Sequence, residues 1–264
     1  VYVDGAAEGL SRGGTFIGQH IAVPLQGVAV LINAFNFPVW GMLEKLAPAI
    51  LAGMPVIVKP ATQTCYLTEA CFRMIIDSGI LPEGAVQLVI GGTGDMLDRL
   101  GAQDVVSFTG SADTALHLRA NPALMRNSVR FHAEQDSLNA TILGPDVASG
   151  SPAFEAFIKE AATEITTKAG QKCTAIRRII VPQAAIDEVG EALMARLKGT
   201  TIGDPATDGV RMGALASAAQ KADVLDKLSA LAGETSRLTG DPEKVELIGA
   251  GPSGAFLAPT LLRC

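Results

Sequence analysis

Residues 27–33 read Gly-Val-Ala-Val-Leu-Ile-Asn, a run in which every position between the glycine and the asparagine is apolar. Such a run is typical of a strand inside a parallel sheet, because helices cover both faces of the sheet and no side chain faces water. From Phe37 onward the spacing becomes helical, with apolar residues on one face at Val39, Leu43, Leu46, Ala47 and Ile50. Gly53 ends that helix, so the stretch predicts a strand followed by a helix.

The same alternation continues beyond this first unit. We predict further buried strands at 54–60, 85–92 and 104–111, and helices at 67–78 and 111–119. Strands and helices that alternate at this rhythm form an α/β fold with a doubly wound parallel sheet. Ligands of such sheets bind beyond the carboxyl ends of the strands. That rule points to Asn36, Lys59, residues 91–94 and residues 109–111.

The second half of the chain is also mixed α/β. Its predicted elements are two interrupted strands within 128–143, a helix over 152–171 that starts at Ser151 and Pro152, a strand at 177–182, helices at 184–198 and 216–232, and a strand-like tail from 254. We expect a domain boundary near residue 135. Residues 14–25 form an apolar extended segment ahead of the first domain. The segment is either an arm that pairs with another subunit or an edge strand of its own domain.

Composition excludes several classes of function. The 264 residues carry a net charge of −6 and no basic stripe, which argues against nucleic-acid binding. No apolar run reaches the roughly 18 residues of a membrane span, and the first residues do not resemble a signal peptide. The four cysteines, at 65, 71, 173 and 264, have no metal-binding spacing, and we expect reduced thiols in the cytoplasm and no metal site.

Cys173 lies in the sequence Gly-Gln-Lys-Cys-Thr-Ala, among small and polar neighbours. A thiolate is the reactive form of cysteine, and nearby cations favour it. Lys172, Arg177 and Arg178 are the candidate cations. The residue is therefore either a nucleophile or a buried structural thiol.

Six motifs in order resemble the aldehyde dehydrogenase superfamily. They are NAFNFP (33–38), KPATQT (59–64), FTGS (108–111), FHAE (131–134), GQKCTAIRR (170–178) and GAFLAPTLL (254–262). The resemblance implies NAD(P)-dependent oxidation of an aldehyde to a carboxylic acid. It also implies an oligomerisation arm over 1–25, an NAD(P)-binding domain over 26–135 and a truncated catalytic domain over 136–264.

The resemblance assigns three catalytic roles. Cys173 matches the nucleophile, Asn36 matches the donor that holds the oxyanion together with the backbone N–H of Cys173, and Glu134 matches the base that activates water. The plainer alternatives are a turn residue before Pro38 for Asn36 and a solvated carboxylate for Glu134. Because Glu134 follows an apolar strand, we expect burial, which would raise the pKa of its carboxyl group.

The resemblance also implies a cofactor site. Lys59 matches the lysine that binds the adenosine ribose, although it could be an ordinary surface lysine. Gly110 and Ser111 open a helix whose N-terminus suits a pyrophosphate, and the remaining predicted cofactor contacts are Ile32, Phe35, Gly92 and Phe108. NAD-preferring members carry a glutamate at the position of Thr62. A threonine there leaves room for a 2′-phosphate, so we expect NADP to be preferred, with NAD as the alternative.

One departure from the family's usual sequence narrows the class of substrate that we expect. Residues 135–138, Gln-Asp-Ser-Leu, replace the glycine-containing segment that usually follows the base. This variant resembles the dehydrogenase domain of bifunctional enzymes of phenylacetate degradation, which implies a CoA-linked semialdehyde. Two alternatives are open: a dehydrogenase that releases its thioester to free coenzyme A, and a non-catalytic nucleotide-binding or oligomerisation module.

The resemblance is incomplete at both ends of the chain. The family continues past Pro259-Thr260-Leu261-Leu262 into a segment that holds the nicotinamide ribose and then into a closing oligomerisation strand. We therefore expect this chain to be an inactive part of a longer protein, and that protein to be a homo-oligomer that takes a small aldehyde and neither nucleic acid nor membrane as partner.

Overall fold

The computed structural model describes residues 2–264, with side chains from residue 5 onward, so the first residue of the predicted arm lies outside the described part. The chain divides into two compact units, Val1–Gln135 and Asp136–Cys264. The functions that the sequence assigns to these units stay predictions.

The first unit is built on a parallel sheet. Its strands are β1 (Tyr2–Gly9), β2 (Ile17–Ala22), β3 (Ala29–Ile32), β4 (Val56–Lys59), β5 (Val86–Leu88), β6 (Val105–Gly110) and β7 (Arg130–Gln135), and its helices are α1 (Trp40–Leu51), α2 (Cys65–Asp77), α3 (Ala112–Arg119) and α4 (Pro122–Arg126). Five strands pair in parallel in the order β5-β4-β3-β6-β7. The predicted α/β fold with a parallel sheet is confirmed.

The sheet is wound in both directions from β3. The chain passes from β3 outward to β5 through α1 and α2, and then returns to place β6 on the other side of β3. Alternate residues of β3 consequently pack into two different cores. Ala29 and Leu31 pack in the cluster that contains Met42 of α1, and Val30 and Ile32 pack in the cluster that α3 covers. The topological switch point, where ligands of such sheets bind, lies between β3 and β6.

The predicted extended segment at 14–25 corresponds to β2. It pairs in antiparallel fashion with β1 in a two-stranded sheet that is separate from the five-stranded one. The sequence reading missed β1, whose alanines and glycines have low strand propensity. The strand is thus not an edge strand of the parallel sheet, and its pairing with another subunit stays a prediction.

The second unit combines three helices with short strands. These are β8 (Asn139–Ile142), α5 (Pro152–Thr166), β9 (Ile176–Ile180), α6 (Ile186–Lys198), β10 (Ile202–Gly203), α7 (Ala218–Leu231), β11 (Ser236–Arg237), β12 (Leu247–Ile248) and β13 (Leu262–Arg263). Its core joins α5 and α6 through Phe154, Ile158, Leu193 and Leu197. The Ser151 hydroxyl accepts from the Phe154 N–H and caps α5, as its position predicts.

One prediction for the second unit fails in detail, and one pair of strands was not predicted. The strand-like tail from residue 254 contains only the two-residue β13, which pairs with β11. The short parallel pair of β10 and β12 was missed, because two-residue strands leave no periodic signal in a sequence.

Across residues 2–264, no helix combines the length and apolarity that a bilayer span requires.

Candidate active site

The parallel sheet brings several predicted site residues to one edge. In the strand register, Ile32 of β3 lies opposite Lys59 of β4 on one side and Phe108 of β6 on the other. One residue further along β6, Thr109 lies opposite Glu134 of β7. Candidates separated by more than a hundred positions in the sequence therefore share the carboxyl edge of four neighbouring strands.

A cleft of about 500 Å³ opens at this edge and contains Glu134 in its wall. It is lined by residues 107–109 of β6, residues 131–134 of β7, and Glu44 with Lys45 of α1. Lys45 forms an ion pair of 2.7 Å with Glu44, and its side chain is only 12% exposed. Sequence reasoning missed this pair, because charged residues on a helix usually indicate a solvated face.

Glu134 is exposed, so the expectation of burial is wrong. The cause lies in the sheet order, since β7 is the edge strand and only β6 flanks it. Its neighbours His132, Ala133 and Gln135 are exposed as well. The Glu134 side chain is therefore accessible to water.

Asn36 lies half-buried in the loop between β3 and α1, next to the equally half-buried Phe35. The loop begins directly after the switch-point strand, where the Asn33 N–H donates to the carbonyl oxygen of Lys59 at 3.0 Å. The helix that follows carries the only tryptophan of the sequence, Trp40, at its first position.

Cys173 is exposed in the turn that leads into β9, and the alternative of a buried structural thiol is therefore wrong. The three residues before Gln171 take left-handed backbone conformations, with φ of 54° at Lys168, 52° at Ala169 and 71° at Gly170. The Asn139 Nδ2 donates to the carbonyl oxygen of Cys173 at 2.5 Å. Asn139 directly follows the divergent segment 135–138, and sequence reasoning gave it no role.

The three cations predicted near Cys173 are engaged elsewhere. Lys172 forms an ion pair with Glu164 at 2.8 Å, Arg177 donates to the carbonyl oxygen of Gly170 at 2.6 Å, and Arg178 donates to the carbonyl oxygen of Leu138 at 2.7 Å. These bonds hold the turn and its surroundings in place.

Lys168 is a further cation close enough to Cys173 for the two charges to interact. Burial and the neighbouring charge of Lys172 lower the pKa of Lys168, while the Cys173 thiolate raises it in part. Sequence reasoning overlooked this lysine because it lies five positions before the cysteine. The left-handed turn over residues 168–170 reverses the chain and places Lys168 close to Cys173.

The predicted cofactor residues of the first unit differ in what they can offer a ligand. Ile32 and Phe108 are 5% and 3% exposed and belong to the core, so they can offer mainly backbone groups. Gly110 leaves space for the Phe108 ring, since a Cβ there would lie 2.5 Å from it. A Cβ at Gly92 would meet only the Gly94 backbone nitrogen, at 3.9 Å. Ser111 is exposed and caps α3 by accepting from the Thr114 N–H, at a helix N-terminus of the kind that binds anions.

Lys59 and Thr62 supply a cation and a hydroxyl at the carboxyl end of β4. Burial lowers the pKa of Lys59, and the Cys65 thiolate raises it in part. The Lys59 ammonium donates to the carbonyl oxygen of Pro60 at 3.2 Å, and Thr62 is exposed in the single 3-10 turn that precedes α2. A half-buried cation, an exposed hydroxyl and a helix N-terminus are groups of the kind that a dinucleotide phosphate needs.

The sequence-predicted residues are divided between the two units. Asn36, Glu134 and all eight cofactor candidates belong to the first unit, and Cys173 belongs to the second.

Comparison with known proteins agrees with the fold. A family model described as "Aldehyde dehydrogenase family" matches residues 11–264. The 3,4-dehydroadipyl-CoA semialdehyde dehydrogenase of Aromatoleum evansii is 46% identical over 99% of this chain and 51% of its own length. The alpha-ketoglutaric semialdehyde dehydrogenase of Bacillus subtilis is 34% identical over 90% of this chain and 48% of its own length.

Solved structures show the same likeness. A variant of aldehyde dehydrogenase C from Pseudomonas syringae, in complex with NAD+ and octanal, superimposes with a TM-score of 0.78 at 25% identity, covering 90% of this chain and 48% of that one. Betaine aldehyde dehydrogenase from Staphylococcus aureus in complex with NAD+ gives a TM-score of 0.74 at 25% identity, covering 90% and 46%. The chain spans about half the length of the curated relatives it matches.

Proposed function

Because the chain belongs to the aldehyde dehydrogenase family, we propose that it supplies the nucleophile, the oxyanion donor, the base and most of the cofactor site of an enzyme that oxidises an aldehyde to a carboxylic acid. The observation that carries the proposal is the exposure of Cys173 in a turn held by hydrogen bonds. An unreactive structural thiol has no need of such a turn, whereas a nucleophile needs both access and a fixed direction.

The chain's own residues account for the attack on the aldehyde, the stabilisation of the oxyanion and the release of the acid. The Cys173 thiolate attacks the aldehyde carbonyl and forms a C–S bond, and the Asn36 amide donates to the oxygen as it gains negative charge. A bound nicotinamide supplies the hydride acceptor that turns the adduct into a thioester. Glu134 then takes a proton from water, the resulting hydroxide attacks the thioester carbonyl, and the Cys173 thiolate leaves as the acid forms. The exposure of Glu134 suits this role, because water reaches it freely.

Lys59 and Thr62 support NADP as the preferred cofactor. A phosphate is best held by a cation together with a neutral donor, and a carboxylate at residue 62 would repel it. Lys59 supplies the charge and Thr62 the hydroxyl at the same strand end.

For the substrate, we propose a CoA-linked semialdehyde of aromatic catabolism, such as phenylacetate degradation. The support is the 46% identity with a dehydrogenase whose name specifies a CoA semialdehyde, together with the divergent segment 135–138. We further propose a cytoplasmic enzyme, since all four cysteines are free thiols.

Thiol alkylation tests the nucleophile with a matched control inside the same chain. Cys173 and Cys264 are both exposed, whereas Cys65 and Cys71 are half-buried. We expect iodoacetamide to modify Cys173 faster than Cys264, and NADP to change the rate at Cys173 only. Equal rates at the two exposed cysteines would contradict the proposal.

Product analysis separates the proposed reaction from its acylating alternative. In a protein of the relatives' full length that contains this chain, oxidation with NADP should yield the free acid without added coenzyme A. Glu134→Gln should lower the rate of thioester hydrolysis and leave alkylation of Cys173 unchanged. A product that forms only as a new CoA thioester would favour the alternative.

A further inference from the structure

Among the bonds of the loop that carries Asn36, three connect it to one other segment of the chain, residues 59–68. The Asn33 N–H donates to the Lys59 carbonyl at 3.0 Å. The Thr64 hydroxyl donates to the Phe35 carbonyl at 2.8 Å, and the Thr68 hydroxyl donates to the Pro38 carbonyl at 2.9 Å. The two threonine bonds lie one residue before and two residues after Asn36.

Thr64 donates its hydroxyl to the loop and makes no side-chain cap on its own helix. It is the N-cap residue of α2, where a threonine oxygen ordinarily accepts from a backbone N–H of the first turn. No such capping bond forms at Thr64, although Ser111, Ser151 and Ser217 all cap their helices in this way. A cap is usually worth about 1 kcal/mol. The hydroxyl of Thr64 is oriented towards the loop instead.

Thr68, one helical turn later, also directs its hydroxyl out of its own helix. Within a helix, a threonine hydroxyl commonly bonds to the carbonyl four residues earlier, as Thr163 does with Lys159. The Thr68 hydroxyl reaches out of its helix to Pro38, and its residue is 0% exposed. Because a buried hydroxyl without a partner costs about 1–3 kcal/mol, this bond strongly favours a single position for the loop.

We propose that Thr64 and Thr68 are positioning residues that hold the loop of Asn36, and thereby its amide, where the oxyanion forms. The inference rests on the proposed role of Asn36. Oxyanion donors act only when they are in place before the charge develops, and a displacement of about 1 Å can cost on the order of 100-fold in rate. The same segment carries Lys59 and Thr62, so one stretch of ten residues sets both the cofactor contacts and the oxyanion donor.

A double-mutant cycle with Asn36 tests the proposal in a protein of the relatives' full length that contains this chain. We expect Thr64→Val to lower kcat about 10- to 100-fold with little change in KM or in NADP affinity. In an Asn36→Ala background the same substitution should change kcat by less than about 2-fold, because the group it positions is gone. Thr64→Ser, which retains the hydroxyl, should restore kcat.

The matched control is Thr235→Val. Thr235 donates to the Leu231 carbonyl at 2.9 Å, so the substitution removes the same kind of bond in the other unit, and kcat should not change. Thr68→Val and Thr68→Ser form a second pair with the same expected pattern as at Thr64. Equal effects of Thr64→Val with and without Asn36, or a failure of serine to restore kcat, would overturn the proposal.

Amide hydrogen exchange provides a readout that needs no activity. In the peptide covering residues 33–39, exchange should be faster in Thr64→Val than in the unmodified protein, while exchange in β6 stays the same. If the unmodified full-length protein oxidises no aldehyde, the proposed function fails, and unchanged exchange in this peptide would separately reject the positioning role.

Discussion

Thr62 and Lys59 illustrate how one side chain can select a cofactor. We predict that Thr62→Glu raises the dissociation constant for NADP about 10- to 100-fold and leaves that for NAD nearly unchanged, because like charges at close range cost on the order of 1–3 kcal/mol. Thr62→Gln is the control of similar size without the charge, and it should have a small effect. Titration followed by the fluorescence of Trp40, the only tryptophan of the sequence, measures both constants. Equal weakening by Glu and Gln would reject charge as the cause.

The lowered pKa of Lys59 leads to a prediction about pH. Burial favours the neutral amine, so Lys59 loses its proton below the ordinary lysine pKa of 10.5. Only the ammonium form attracts a phosphate, and NADP affinity should therefore begin to fall, as pH rises, before 10.5 is reached. NAD affinity, measured over the same range, corrects for other titrations. A Lys59→Arg variant, whose guanidinium stays charged, should remove the decline.

The same shift affects folding with a definite sign. A lysine whose folded pKa is depressed is more easily protonated in the unfolded chain, so its contribution to stability is present above 10.5 and is lost as pH falls through the lowered folded value. At neutral pH the half-buried ammonium thus opposes folding. Its retention at the strand end is consistent with a binding role.

At the scale of elements, the sequence predicted the parallel sheet well and the turns poorly. The run over residues 27–33 and its repeats have the continuous apolar pattern that only buried strands show, so β3, β4, β5 and β6 were predictable. The turn before Cys173 was not, because its conformation depends on the left-handed Lys168 and Ala169, residue types that rarely adopt it. The engagement of Lys172 with Glu164 was equally invisible, as no local pattern links the two.

The turn before Cys173 predicts that substitutions at two adjacent positions change the free energy of unfolding in opposite directions. A left-handed conformation costs a non-glycine residue about 1–2 kcal/mol, so Ala169→Gly should increase the free energy of unfolding by up to about 1 kcal/mol. Gly170→Ala should decrease it by about 1–2 kcal/mol. A Cβ at residue 170 would also lie 3.1 Å from both Arg177 and the Ile165 carbonyl. Urea unfolding of the two variants checks the pair, and equal signs would contradict the left-handed turn.

Cys173 reactivity gives the same pair a functional readout. If the turn directs the thiol, Gly170→Ala should alter its alkylation rate relative to that of Cys264. Ala169→Gly adds freedom to the turn and serves as the comparison. If neither substitution changes the alkylation rate of Cys173, the turn contributes only to stability.

At the scale of the whole molecule, the two-stranded sheet of β1 and β2 exposes an apolar face. Ile17 and Ile21 are four residues apart in β2, share one face of the strand and are 64% and 57% exposed, and Val23, just beyond the strand, is 63% exposed. An isolated two-stranded sheet is marginally stable in water. A face of this kind is expected to be covered by another surface, and we propose that a second copy of the protein covers it in a homo-oligomer.

Introducing positive charge into this apolar face tests the assembly. In a protein of the relatives' full length, Ile17→Lys with Ile21→Lys should weaken subunit association at least about 100-fold, since each buried isoleucine contributes roughly 1.5–3 kcal/mol. Leu51→Lys with Ile80→Lys is the matched control, because both residues are exposed apolar side chains outside the two-stranded sheet, at 88% and 81%. Light scattering after size exclusion should report a smaller mass for the first double variant only. An unchanged mass would assign β1 and β2 to the subunit itself, and the same loss in both variants would indicate a general effect of added charge.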